Sequence, residues 1–417
     1  MPSWLASFPA RGSRVADGSR HVTTMLDLDR LRAETPGVRH RAHLNNAGAA
    51  LMPQPVLDAM TFHLRREAEI GGYEAAAEQA QRLARVHASV ARLIGAQPEE
   101  IALVQNATVA WQAAFYALAA DFRPGDRILT ARVEYAANYV AFLQVAQRTG
   151  AVIEVVPDDA RGALDPEALR AMLDERARLI AITWIPTNGG LVNPAAAVGR
   201  IARAAGVPYL LDACQAVGQM PVNVAELGCD FLSATGRKFL RGPRGTGFLY
   251  VRRSWLDRLE PAMIDHFGAP WVAPDAYRLR DDARRFETWE SDHAARLGLG
   301  TAVDYALALG LEAIEARCRA LADLLRHGLR RIPGATLHDL GPHPAAIVSF
   351  SIAGVTAEAI AARCAAAGIN LGTSSPSSTL LDATARGLPA MVRASPHCYN
   401  SEDEIARTLD LLRTVVA

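Results

Sequence analysis

A chain of 417 residues, half of them hydrophobic and 21% charged, is long enough to bury two or three structural units and too apolar to be disordered. Its 44 Lys and Arg balance 44 Asp and Glu, so no net field draws it to nucleic acid or an anionic membrane, and no apolar run reaches membrane-spanning length. Five cysteines (Cys214, Cys229, Cys318, Cys364 and Cys398), odd in number and without a C-x-x-C pair, argue against a disulfide framework or a zinc site. They read as thiols of a reducing compartment, the cytoplasm by default.

Residues 1–24 carry Arg11, Arg14 and Arg20 without an apolar stretch between them, so they read as a disordered arm and not as a secretory signal. From residue 98 the pattern alternates. Ile101–Val104 is a short apolar run, followed by helical periodicity over Val109–Ala119. Asp126–Leu129 and Val152–Val156 read as strands, with helices at Asn138–Gln147 and Asp165–Ala177. Leu179–Trp184 and Tyr209–Leu211 are continuous apolar runs separated by a helix at Ala195–Ala204. Strands apolar on both faces belong to a mostly parallel sheet covered by helices, which predicts a doubly wound α/β unit over residues 60–293. The proline- and charge-rich stretch from about 260 to 292 reads as an irregular connection. Long helices at Ala294–Leu309 and Glu312–Arg331 then lead into strands at Ala345–Ile352 and Met391–Ala394 and helices at Ala357–Ala367 and Glu402–Val415. These, with residues 25–59, predict a smaller α+β unit.

Two segments carry chemistry. In Ser233-Ala234-Thr235-Gly236-Arg237-Lys238, a lysine lies in a small-residue turn after an apolar strand, where desolvation lowers the amine's pKa and makes it nucleophilic. Thr235 and Arg237 suit a phosphate, and Gly242-Pro243-Arg244-Gly245-Thr246-Gly247 lets backbone approach closely. A basic surface hairpin is the plain alternative. In Leu211-Asp212-Ala213-Cys214-Gln215, Asp212 ends a strand, at the edge where open α/β sheets bind ligands. A carboxylate there can keep a pyridine nitrogen protonated; a solvated turn aspartate is the plain alternative.

With Asp212-x-x-Gln215 two dozen residues before Thr235-Gly236-Arg237-Lys238 and the glycine-rich stretch behind it, the chain from about Leu44 onward resembles the class V aminotransferases of pyridoxal-phosphate (PLP) fold type I. That group includes cysteine desulfurases, selenocysteine lyases and isopenicillin-epimerase-like proteins. The resemblance implies a PLP enzyme with a seven-stranded, mostly parallel sheet, Lys238 as the Schiff-base lysine and Asp212 as the partner of the ring nitrogen. It places Ala107 and Thr108 at the cofactor phosphate and Tyr135 against the ring. Gln215, with Thr187 or Asn188, falls near the ring oxygen. Asn46, Ala47 and Gly48 fall on the substrate side, and Arg393, in Arg-x-Ser, on the α-carboxylate of an amino-acid substrate.

Arg285–Glu290 resembles a segment that crosses to the other subunit's site, which implies a homodimer. Glu290 stands where relatives often have a phosphate-binding threonine, and Arg237 is a candidate source of the missing positive charge.

The loop Gly372–Thr379 has no cysteine, whereas desulfurases of the group carry one there to accept sulfur. Glu67–Ala76 and the Arg237-Lys238 pair resemble the C–S lyases of ergothioneine biosynthesis. The expected reaction is therefore β-elimination from a cysteine S-conjugate or sulfoxide. An epimerase, or an aminotransferase-like or decarboxylating enzyme of secondary metabolism, is the alternative. A non-catalytic nucleotide-binding module is disfavoured by the lack of G-x-G-x-x-G after a first strand.

Overall fold

Seven strands form the central sheet of the computed structural model, which describes residues 26–416; the expected arm at 1–24 lies outside them. They are β1 (Ile101–Val104), β2 (Arg127–Ala131), β3 (Val152–Val156), β4 (Ala177–Thr183), β5 (Tyr209–Asp212), β6 (Phe231–Thr235) and β7 (Gly247–Val251), in the spatial order β1-β7-β6-β5-β4-β2-β3. The pairs β6/β5, β5/β4, β4/β2 and β2/β3 are parallel, and β7 runs antiparallel between β1 and β6.

The apolar runs are continuous because each strand feeds two cores. Ile180, Ile182, Leu211 and Leu232 pack on one face, and Leu179, Ala181, Leu210 and Phe231 on the other. On the second face Trp111, Phe115 and Phe142 meet with ring centroids 4.8–5.3 Å apart. They fix the helix Ala107–Ala119 against Ala136–Thr149, and so fix where both helices begin.

A four-stranded antiparallel sheet completes the molecule: β8 (Ala335–Leu337), β9 (Val348–Ile352), β10 (Gly372–Ser374) and β11 (Met391–Ala394), in the order β8-β9-β11-β10. Helices Leu311–Leu329, Ala357–Ala366 and Glu402–Val416 accompany it. Among the described residues no single helix is long and apolar enough to cross a membrane.

Three elements differ from the sequence reading. The helix expected at 165–177 is only Pro166–Met172, because Arg127 binds Met172 O and Asp174 and turns the chain into β4. The strand expected from Ala345 begins at Val348, since Ala345 N–H goes to Gly190 O and Ala346 N–H to the Gln219 amide oxygen. The irregular stretch at 260–292 contains a small hairpin, Trp271–Ala273 with Ala276–Tyr277, and a 3₁₀ turn at Ala283–Phe286.

Candidate active site

The parallel strands end along one edge, and every chemically interesting loop leaves from it. Glu134 and Tyr135 follow β2, Thr187 follows β4, Asp212 ends β5 and Lys238 follows β6; Asn106 lies just beyond β1, on the same edge. All of these but Glu134 line one pocket open to solvent, together with Ala107, Thr108, Asn138, Thr183, Ile185, Cys214, Gln215, Thr235 and Arg237. Ligand sites of open α/β sheets occupy this position.

The floor is built for an anion. Asn106 caps the helix Ala107–Ala119 by accepting from Val109 N–H at 3.0 Å, while the N–H groups of Ala107 and Thr108 find no acceptor among the described residues. Free amides at a helix start attract negative charge. Gly247 permits this arrangement, since a Cβ there would lie 2.8 Å from Asn106 C and 3.0 Å from Ala107 N. Thr235 and Arg237 complete the floor. The Arg237 guanidinium donates to Gly48 O, has no carboxylate within 4 Å among the described residues, and is pulled below its ordinary pKa by burial and by Arg244.

Lys238 sits above, its amine without a carboxylate partner among the described residues. Burial pushes its pKa down, as an amine that must be neutral to attack a carbonyl requires. The turn that carries it is held in shape at Arg241, a non-glycine residue in the left-handed region (φ 63°), a conformation that costs on the order of 1–2 kcal/mol. Arg241 offsets that cost by donating to Leu51 O and Thr35 Oγ1 and lying 4.5 Å over the Tyr399 ring. The segment is thus a buried, braced turn and not a surface hairpin.

Across the cavity Asp212 accepts from Cys214 N–H at 2.9 Å and from the Asn138 amide at 3.0 Å. Tyr135, about one-third exposed, forms a side wall. Gln215 donates to Ala47 O at 3.2 Å, and its Oε1 is buried without a partner.

Arg393 stands behind Thr187, at one side of the cavity. It donates to Thr187 O at 3.0 Å, Thr187 Oγ1 at 2.7 Å and Asn45 Oδ1 at 3.4 Å. Its Nε is buried and unpartnered, and burial brings its pKa down to about 10. A buried guanidinium with no acid beside it has the geometry and charge to receive a carboxylate. Arg393→Ala should raise KM for an amino-acid substrate by roughly ten- to a hundredfold with a smaller change in kcat, as loss of a charge-assisted pair implies. Steady-state kinetics checks this, and an unchanged KM contradicts it.

Several expected site residues lie elsewhere. Asn46 is buried away from the cavity, its amide donating to His43 O and Ser395 O and its oxygen accepting from Tyr399 Oη. Its neighbour Asn45 reaches Arg393 instead, because adjacent residues of an extended segment point opposite ways. Ala47 and Gly48 contribute only carbonyls, to Gln215 and Arg237. Of the two candidates for the ring oxygen, Thr187 lines the cavity and Asn188 does not; its amide donates to Asp382 at 3.2 Å. In the expected crossing segment, Arg285 is tied to Leu259 O and Arg280 O of its own chain, and Glu287 to His87 and Leu103 N–H. Only Thr288, Trp289 and Glu290 stay exposed there. Glu134, Asn138 and Asn45 lie in stretches the resemblance points to, but the sequence reading gave none of them a role of its own. The i, i+4 spacing of Glu134 and Asn138 at a helix start was the available signal for that pair.

A PLP molecule suits this set of residues. The orphaned amides of Ala107 and Thr108 and the unpaired Arg237 match a phosphate, Asp212 matches a basic ring nitrogen, and Lys238 matches an aldehyde.

Residues 42–408 match the family model for aminotransferase class-V. A "Probable cysteine desulfurase" of Xylella fastidiosa is 33% identical over 402 residues, covering 94% of this chain and 96% of the relative. A "Cysteine desulfurase" of Dickeya dadantii is 34% identical over 398 residues, covering 91% and 94%. The solved apo cysteine desulfurase of Thermococcus onnurineus superposes with a TM-score of 0.86 at 27% identity, covering 93% of this chain and 98% of that one.

Proposed function

The chain belongs to the aminotransferase class-V family and is a PLP-dependent enzyme of C–S lyase type, and on that premise we propose that it cleaves the Cβ–S bond of a cysteine S-conjugate or its sulfoxide by β-elimination. Water is consumed, and pyruvate, ammonia and a thiol or sulfenate leave. The observation that carries this reading is the chemistry of the cysteines. The relatives are named for desulfuration, which needs a nucleophilic, mobile thiolate to take sulfur from the substrate. The strand and turn beside Arg393, Gly372–Thr379, offer only hydroxyls. Cys398 is fully buried against His397, with its thiol raised to about 11 by burial. Cys214 lines the cavity next to Asp212, and burial and that carboxylate push its thiol up. Elimination needs no thiol.

Bound PLP supplies an electron sink for the bonds at the substrate's Cα. The Ala107 and Thr108 amides, Thr235 and Arg237 would hold its phosphate, Asp212 its ring nitrogen, Tyr135 a ring face, and Gln215 with Thr187 its ring oxygen. Arg393 binds the substrate carboxylate and so orients Cα. Lys238, its pKa lowered by burial, takes the Cα proton; its position in the cavity leaves it free to return a proton to a leaving sulfur.

The test incubates the holoenzyme with S-alkyl cysteines, their sulfoxides and free cysteine, measuring pyruvate, ammonia, alanine and alkylation-trapped protein sulfur. Pyruvate equal to the thiol released supports elimination. Alanine with a stoichiometric persulfide on Cys214 or Cys398 restores desulfuration. Substrate loss with neither product points to epimerisation, transamination or decarboxylation.

We also propose a homodimer with composite sites. Met263, Trp271, Val272, Tyr277 and Trp289 are apolar side chains exposed between residues 263 and 289, Met263 at 89% and Trp271 at 75%. Sedimentation should give twice the chain mass; a fully active monomer contradicts this.

A further inference from the structure

Glu134 is a buried carboxylate that the scheme above does not use. It stands at the end of β2, 3% exposed, with no cation within 4 Å among the described residues. Five donors converge on it. Thr183 Oγ1 at 2.5 Å, Tyr135 N–H at 3.0 Å and the Asn138 amide at 2.8 Å reach Oε1, while Thr183 N–H at 2.9 Å and Thr130 Oγ1 at 3.2 Å reach Oε2. A purely architectural acid would tie β2 to β4 and cap the next helix, and the first two of these contacts suffice for that. The Asn138 contact does more. Its Nδ2 carries two hydrogens, one given to Glu134 and the other to Asp212 Oδ2 at 3.0 Å. Both carboxylates therefore hang on one amide nitrogen, and Asn138 is itself 3% exposed.

That sharing fixes three things. Glu134, an acceptor, determines which end of the Asn138 amide faces Asp212; turned over, the amide would set its oxygen against two carboxylates. Asp212 is then held at both oxygens, by Asn138 and by Cys214 N–H, in one plane and as an acceptor only. Where Glu134 is ionised, its negative charge one amide away also favours a proton on whatever Asp212 faces across the cavity, a contribution lost as the pH falls through its raised pKa. The other groups that bear on Glu134 are few: Asp212, and Tyr209 on the same strand. Burial, with Asp212 adding to it, raises the Glu134 carboxyl to about 7.

We propose that Glu134 is a positioning residue that acts through Asn138 to lock Asp212 towards the cavity and to tighten that carboxylate's hold on the proton of the cofactor's ring nitrogen. The inference rests on reading Asp212 as the partner of that nitrogen.

The test uses holoenzyme loaded with PLP labelled with ¹⁵N in the ring, so that the ring-nitrogen chemical shift reports its protonation without any substrate. Wild type, Glu134→Gln, Asn138→Ala, the double variant and Asp212→Asn are compared across pH, with bound PLP and melting temperature measured beside the shift. Glu134→Gln and Asn138→Ala should each let the ring nitrogen lose its proton on the order of tenfold more readily, with PLP still stoichiometric. The double variant should add little, because both changes break one relay.

An unchanged shift in Glu134→Gln, beside a changed one in Asp212→Asn, overturns the relay and leaves the reading of Asp212 standing. No change in Asp212→Asn overturns both. Should Glu134→Gln fail to fold, Asn138→Ala decides alone, since it removes the bridge and keeps both carboxylates. A wild-type shift there refutes the proposal.

Discussion

Lys238→Ala should abolish turnover, by at least the 10²- to 10⁴-fold that general-base catalysis typically contributes, and should erase the visible band of lysine-linked cofactor. The reason lies in the cavity. Lys238 is the only lysine of the chain, and the other titratable side chains that line or border the cavity among the described residues are Tyr135, Asp212, Cys214, Arg237 and Arg393. The arginines stay protonated, and burial pushes the Cys214 thiol away from ionisation. Nothing else there can both join an aldehyde and move a proton. Borohydride reduction followed by peptide mapping is the measurement. Lys238 is the only lysine in the sequence, so turnover retained in Lys238→Ala would show that the reaction does not run through a lysine-linked cofactor.

Asp212→Ala should cost roughly ten- to a thousandfold in kcat while leaving PLP binding nearly intact. An opposite charge at hydrogen-bond distance holds a proton on a ring nitrogen with one to three pKa units of preference, and without it the ring withdraws electrons poorly. Binding survives because the phosphate cradle at Ala107, Thr108 and Arg237, together with Lys238, is untouched. The loss also leaves the Asn138 amide one acceptor short inside the protein, so some stability goes too. PLP stoichiometry after gel filtration, set against kcat, separates these effects. Near-wild-type turnover would remove Asp212 from the chemistry.

Much of this was legible before the structure. The doubly wound sheet followed from apolar runs such as Leu179–Trp184, which become strands with both faces covered. Asp212 and Lys238, which line the cavity, stood out as candidates because they sit in contiguous motifs at strand ends. What was missed depends on contacts between distant parts of the chain. Whether Asn45 or Asn46 faces Arg393 is set by the bridge from Asn45 to Ser395, and nothing within Leu44–Gly48 reveals that pairing. Asn188 lost its place to Thr187 because Asp382, almost two hundred residues on, takes its amide. The helix at 165–177 was overextended because Leu173–Ala177 is compatible with a helix in isolation, and only Arg127 shows why it stops.

The strap at residues 42–50 has a consequence for synthesis. Ala42 and His43 pair with Ile369 and Asn370, Asn46 and Ala47 with Ser395, while Ala47 and Gly48 receive Gln215 and Arg237 and Ala50 N–H bonds Arg237 O. The strap therefore waits for a segment synthesised much later, a separation of 348 residues between Ala47 and Ser395. At roughly 5–20 residues per second, that wait is on the order of tens of seconds. The central sheet, whose strands all lie between Ile101 and Val251, has its whole sequence available much earlier. A nascent chain thus reaches a stage with its parallel core assembled and Gln215 and Arg237 still without their carbonyls. A ribosome stalled before Ser395 leaves the Asn46 amide and the Ala47 N–H without the partner they have in the folded protein.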